Sequence, residues 1–190
     1  MGGPAAGLWL PGRRSALDAA PWLESFCEVR IENDDSLEFS VRQPSAIGLH
    51  GLQQTSPGSF HLGPESLEDY QELGFPGLDR PPAAELALLA YSSGQENHLL
   101  LGHLAQFLAE RFAALIDLGG LLGYRFCVHG TSRGEEENLL AEARALASSL
   151  PGRVWEMPYA AHGGGCGYSH VGDLEFLAAW LDHPNFRMIK

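Results

Sequence analysis

Two short runs alternate with period two on either side of a polar turn. Cys27, Val29 and Ile31 alternate with Glu28, Arg30 and Glu32, and Leu37, Phe39 and Val41 alternate with Glu38, Ser40 and Arg42. Asn33-Asp34-Asp35 lies between them. Helical side chains recur about every 3.6 residues, so a helix would scatter this pattern around its whole surface. A strand puts every second residue on one face. The spacing therefore predicts an antiparallel hairpin, and a sheet with one face buried and one wet.

Shorter signals place the other elements. Gly7-Leu8-Trp9-Leu10 reads as a strand closed by Pro11-Gly12, and Ser15 with Asp18 as a capping pair opening a short helix that Pro21 kinks or restarts. Residues 43–63 are rich in Gly, Pro, Ser and Gln and read as loop, with a short strand at Ser59-Phe60-His61-Leu62. Ser66-Leu67-Glu68-Asp69-Tyr70 has capping-box spacing before a helical turn or two. The stretch from Gly74 to Pro82 reads as a loop and the best internal boundary, although Phe75 and Leu78 call for burial.

Glu85 to Tyr91 is an apolar run of strand length. Asn97 is a candidate cap for a helix striped by Leu100, Leu104, Phe107, Leu108 and Phe112, and Leu115-Ile116-Asp117-Leu118 follows as a strand ended by Gly119-Gly120. Strand, helix and strand in this span form a βαβ-like unit, parallel if both strands share a sheet. Tyr124 to Val128 is a further strand candidate. Ser132 and Glu135 cap a helix striped by Leu139, Ala143, Leu146 and Leu150, which Pro151-Gly152 ends. Val154 to Met157 reads as a strand, 163–167 as a Gly-rich connector, and Asp173 as the cap of a last helix that Pro184 stops. The expected fold is α+β over 1–190 as one domain: a mixed β-sheet with an N-terminal antiparallel hairpin, a βαβ-like central unit and helices packed on the sheet.

Charge narrows the function classes. Twenty-four acidic against twelve basic residues give a formal charge of -12, and the only lysine is Lys190. Nucleic-acid binding draws most of its affinity from basic contacts to phosphate, so it is not expected; a basic protein partner is. Cys27, Cys127 and Cys166 fit no zinc spacing and read as reduced thiols. The N-terminal residues lack a signal-peptide pattern and no window is apolar enough to span a membrane, which makes the expected location cytoplasmic.

The segment His162-Gly163-Gly164-Gly165-Cys166-Gly167-Tyr168-Ser169-His170 is the sharpest candidate for chemistry. A Cys and two His could pair as nucleophile and base, or ligate a metal with His183. No orienting Asn or Asp stands at a diagnostic spacing, and His-x3-Cys-x3-His matches no closed zinc frame. A phosphate loop would need Gly-Lys-Ser/Thr, and a dinucleotide fingerprint would need the helix to open at the loop rather than at Asp173. His98 and His103 stand five apart and share no ligand-making face. Three acidic clusters remain, Glu32-Asp34-Asp35, Glu65-Glu68-Asp69 and Glu135-Glu136-Glu137. Helix dipoles account for acids at helix starts, and a negative surface also speeds encounter with a basic protein.

Several stretches together resemble a bacterial domain-of-unknown-function family of small acidic proteins. They are Trp22-Leu23-Glu24 with Cys27-Glu28-Val29-Arg30, Leu73-Gly74-Phe75-Pro76, His98 to Gly102 leading to Leu108-Ala109-Glu110-Arg111-Phe112, Leu115 to Gly120, Pro151-Gly152-Arg153, and the tail from His170 to Lys190. Arg187 stands where the resemblance suggests a histidine, which weakens a metal pair with His183. The resemblance implies no enzyme activity, and by analogy it points to the immunity proteins of toxin–immunity systems. The expected function is therefore binding and blocking a cognate, basic toxin or effector, without cofactor or metal, by a monomer or small oligomer. The expected contacts are Glu32, Asp34, Asp35, Glu65, Glu68, Asp69, Tyr168 and His170. The alternative is a small hydrolase or metal-binding enzyme centred on loop 162–170.

Overall fold

The computed structural model describes residues 3–52, 58–121, 133–160 and 166–188. Its strands are β1 (Ala5–Leu10), β2 (Cys27–Ile31), β3 (Leu37–Val41), β4 (Ser59–Glu65), β5 (Ala84–Ala90), β6 (Leu115–Asp117), β7 (Val154–Ala160) and β8 (Cys166–Gly172). Its helices are α1 (Ala20–Leu23), α2 (Glu68–Gln71), α3 (Gln95–Phe112), α4 (Arg133–Ser149) and α5 (Leu174–Leu181), with 3-10 turns at Ala16–Ala19 and Pro44–Ile47. The strands form one eight-stranded sheet in the order β2-β3-β4-β5-β1-β6-β8-β7. The fold is α+β, as the sequence pattern predicts.

Among the described residues every strand pairing is antiparallel, so the expected mixed sheet gives way to a uniform one. The βαβ-like unit explains the difference. β5 and β6 do run in the same direction around α3, but β1 inserts between them and pairs antiparallel with both. The N-terminal strand thus fills the slot that a parallel contact would have occupied.

The predicted hairpin is present, with Cys27 opposite Val41 and Ile31 opposite Leu37. Ser15 and Asp18 form a full capping box, and Pro21 sits in the first turn of α1. Asp173 caps α5 by accepting from the Phe176 N–H at 2.8 Å. Two local expectations fail. Gly94 precedes α3, while the Asn97 amide donates to Ser92 Oγ and the Ser93 carbonyl, closing the turn before the helix. Of the connector expected at 163–167, Cys166 and Gly167 open strand β8 instead, because pairing with β7 supplies the hydrogen bonds that glycine-rich chain alone cannot provide, and 163–165 lie outside the described residues. The strand candidate 124–128 and the Ser132 cap lie outside the described residues.

Alternation along each strand makes two unequal cores. Leu8, Leu37, Phe39, Phe60, Leu62, Leu86, Leu88 and Ile116 point to the helix-covered face and pack with Leu101, Leu104, Leu108, Phe176 and Trp180. The opposite face carries a smaller cluster of Trp9, Leu67, Tyr70, Met157 and Val171, onto which Phe75, Leu78 and Trp155 fold. Phe75 and Leu78 belong to the loop read as a boundary, and both serve to cover Trp9's side of the sheet. Each large apolar side chain removed from water contributes about 1.5–3 kcal/mol.

Gly152 joins α4 to β7 with φ +89°, and a Cβ there would lie 2.2 Å from the Phe176 backbone nitrogen. The same junction ties Arg153 to the α5 cap, with its N–H donating to Asp173 Oδ2 at 3.0 Å. Gly152→Ala is expected to destabilise the protein by about 1–3 kcal/mol or more, since it combines left-handed strain with a backbone clash. Urea denaturation would measure this, and an unchanged midpoint would contradict it.

Candidate functional site

The antiparallel topology brings the acids of the β2–β3 turn and Glu65 to one end of the sheet. Glu32, Asp34 and Asp35 occupy the turn between β2 and β3, where the Asn33 side-chain oxygen accepts from the Asp35 N–H at 2.9 Å. β4 runs towards that turn, with Leu62 opposite Leu37, so Glu65 emerges three residues further on at the same end. Ser66 Oγ accepts from the Glu68 N–H at 3.2 Å and sets Glu68 and Asp69 in the first turn of α2. All six carboxylates are exposed. Ile31 and Leu73 add exposed apolar surface, at the end of β2 and just after α2. Glu32 Oε2 lies 3.3 Å from His61 Nδ1 on the adjoining sheet face.

A buried polar cluster fixes α2 over β1, β6 and β7. Asp117 and Ser169 lie on neighbouring strands and face the small core. The Tyr70 hydroxyl donates to Asp117 Oδ2 at 2.9 Å, the Ser169 hydroxyl donates to Asp117 Oδ1, and the Gly119 N–H donates to the same oxygen at 2.9 Å. Tyr70 also meets Trp9 edge-on at 4.9 Å, and Phe75 meets Trp9 likewise at 5.4 Å. Trp155 Nε1 donates to the Gly77 carbonyl at 3.1 Å and pins the far end of the covering segment.

Burial, then the Asp117 charge, pushes the Tyr70 phenol far above its usual range, so it stays a neutral donor. A carboxylate fully removed from water is tolerable only when hydrogen-bonded, and bonds to a charged acceptor contribute about 1.5–3 kcal/mol each. The cluster is closed to solvent and its serine is committed to Asp117. It holds a helix in position; it does not present a nucleophile.

The third expected region lies elsewhere. β8 starts at the opposite end of the sheet, so Cys166 and Tyr168 are remote from the acidic turn. Tyr168 is half-buried on the helix-covered face. His170 has no accessible surface, which corrects its expected place at a partner contact. Its Nδ1 is 3.3 Å from the Leu121 nitrogen and 3.3 Å from the Gly119 oxygen. Burial lowers its pKa and keeps it neutral, against the opposing pull of Glu156 and Asp117. Glu156 is held bidentate by Arg144 at 2.6 and 2.7 Å, and hydrogen bonds from that guanidinium lower its carboxyl below the ordinary range.

Cys166 and His170 share a face of β8 but stand four residues apart, roughly 13 Å along a strand, too far for a nucleophile–base pair. Ser169 and His170 point to opposite faces. His162 and the rest of 161–165 lie outside the described residues, as does Cys127. Burial pushes the Cys27 thiol up to about 12, which makes it inert. Among the described residues no group of three His, Cys, Asp or Glu side chains could hold a metal ion.

The sequence reading missed Tyr70, Asp117 and Ser169 as the supports of α2. Its one usable signal was Asp117 itself, an acid inside the apolar run from Leu115 to Leu118. Its partners lie 47 and 52 residues away, so no local pattern names them.

The chain belongs to the family of unknown function DUF6368, which matches residues 2–190. No curated protein and no solved structure matches it. Among the described residues no helix is long and apolar enough to cross a membrane.

Tyr70→Phe removes one donor from a buried carboxylate and should cost about 1–3 kcal/mol in urea denaturation; a change within error would mean that the hydroxyl contributes nothing. A second expectation concerns pH. Burial lowers the pKa of His98, His103 and His170. The unfolded chain therefore binds more protons below about pH 6.5, and the stability these groups contribute, complete above that pH, is lost as pH falls towards their folded values. His103→Gln should flatten the decline of the thermal midpoint as pH falls below about 6.5, and an equally steep profile would contradict the assignment.

Proposed function

We propose that this chain is an immunity-type binding protein that blocks a cognate basic toxin or effector by docking its acidic end on that partner. The observation that carries this reading is that Glu65, from a segment about thirty residues away in sequence, emerges at the same exposed end of the sheet as Glu32, Asp34 and Asp35; Glu68 and Asp69 follow it on the exposed side of α2. Opposite potentials raise the encounter rate and set orientation, while most binding energy comes from a few desolvated anchors. Ile31 and Leu73 are the exposed apolar residues beside these acids. Occlusion by such a surface needs an interface of roughly 1,600 Å² in total, with the acids forming much of its rim.

A fixed α2 suits this task. Side chains already fixed before contact lose less entropy on binding, and α2 is held by Tyr70 and Asp117 rather than left free.

The test is co-purification with the product of the neighbouring gene, followed by rescue of growth when that product is expressed. A stable complex with rescue is expected. Neutralising all six acids as amides should weaken the complex by at least about tenfold and flatten its dependence on salt. A folded parent protein that neither binds nor rescues, or a neutralised variant that binds as tightly, would overturn the proposal.

A further inference from the structure

We infer that β2 is a self-complementary edge and that two copies of this chain pair through it, antiparallel and centred on Val29, joining their sheets. The inference does not depend on the acidic end or on any foreign partner.

The two outer strands of the sheet differ. β7 carries Pro158 in its middle, which removes a backbone donor and blunts that edge. β2 contains no proline or glycine. Its backbone orientation follows from the ladder with β3. The Arg42 N–H donates to the Phe26 carbonyl at 2.9 Å and the Glu32 N–H to the Ser36 carbonyl at 3.1 Å. Hydrogen-bonded pairs alternate in an antiparallel ladder. Glu28 opposite Ser40 and Arg30 opposite Glu38 are therefore the bonded pairs. The peptide groups of Val29 and its neighbours Cys27 and Ile31 consequently turn outward.

A second β2 can take up this edge about a two-fold axis, in which residue i meets j and j meets i. With the axis at Val29, the two Val29 residues exchange a pair of backbone hydrogen bonds. Glu28 of each copy then stands directly opposite Arg30 of the other, on the polar face. Each ion pair lengthens an existing row, since Arg30 already meets Glu38, and Glu28 already meets Arg42 at 2.6 Å. On the other face Ile31, 62% exposed in the single chain, comes to lie opposite the partner copy's buried Cys27 and gains cover. An axis at residue 30 would oppose arginine to arginine and one at residue 28 glutamate to glutamate, so charge disfavours both; an axis at Ile31 would pair Arg30 with Glu32 and leave Glu28 out, and E28R separates it from this register.

Magnitudes make the pairing weak. Five residues a side fall well short of the roughly 800 Å² per partner of a standard interface. Two copies of formal charge -12 also repel. At physiological salt repulsion beyond about 8 Å is screened, whereas directly opposed pairs remain.

The experiment is sedimentation of the full chain over a concentration series into the millimolar range, at physiological ionic strength, for the parent and for R30E and E28R. The parent should move reversibly from monomer to dimer mass. R30E alone opposes acid to acid at both symmetry-related pairs, and E28R alone opposes base to base at both, so each should stay monomeric across that range. Mixed in equal amounts they place acid opposite base at both pairs, and a heterodimer should form. That recovery also shows that both variants are folded. A parent that remains monomeric throughout, a single variant that dimerises as the parent does, or a mixture that stays monomeric would overturn the inference.

Discussion

The fully buried carboxylate of Asp117 decides how one side of this molecule is built. It takes hydrogen bonds from a helix, a neighbouring strand and its own following loop. Without them the charge could not remain in the interior, because taking an ion out of water costs several kcal/mol even after relaxation. The covering segment is therefore as much a requirement of Asp117 as Asp117 is a support for the segment. Trp9, Phe75 and Trp155 add the apolar contact that offsets the entropy of ordering it.

This dependence links the interior to the surface. Glu68 and Asp69 sit immediately before Tyr70 in a helix of a single turn, too short to be stable alone. Their position over β1, β6 and β7 comes from the buried hydroxyl two residues away or less. The acids of the β2–β3 turn are placed by a different route, through the strict alternation that sets the hairpin register. The acids of α2 are thus fixed by a polar contact, and those of the turn by sheet geometry.

The elements governed by local periodicity were legible in the chain: the hairpin, the long apolar helix α3, and α5 behind its Asp173 cap. Elements governed by long-range pairing were not. β8 has glycines where a strand reader looks for β-branched residues, and only its neighbours β6 and β7 make it a strand. The insertion of β1 between β5 and β6 turned an expected parallel unit into an antiparallel one, which no local signal announces. Among the expected contact residues, the acids were readable because exposed charge at turns and helix starts is a local property. His170 was misjudged because its burial depends on packing between elements far apart in the chain.

The most direct measurement of the central claim is amide hydrogen exchange across residues 66–78 in the parent and in Asp117→Asn. The Gly74 N–H, which donates to the Tyr70 carbonyl at 2.8 Å, is a convenient reporter. If Asp117 holds the covering segment, the substitution should strip protection from that segment while β3, β4 and β5 keep theirs. Unchanged protection at 66–78, or an even loss over the whole sheet, would contradict the account.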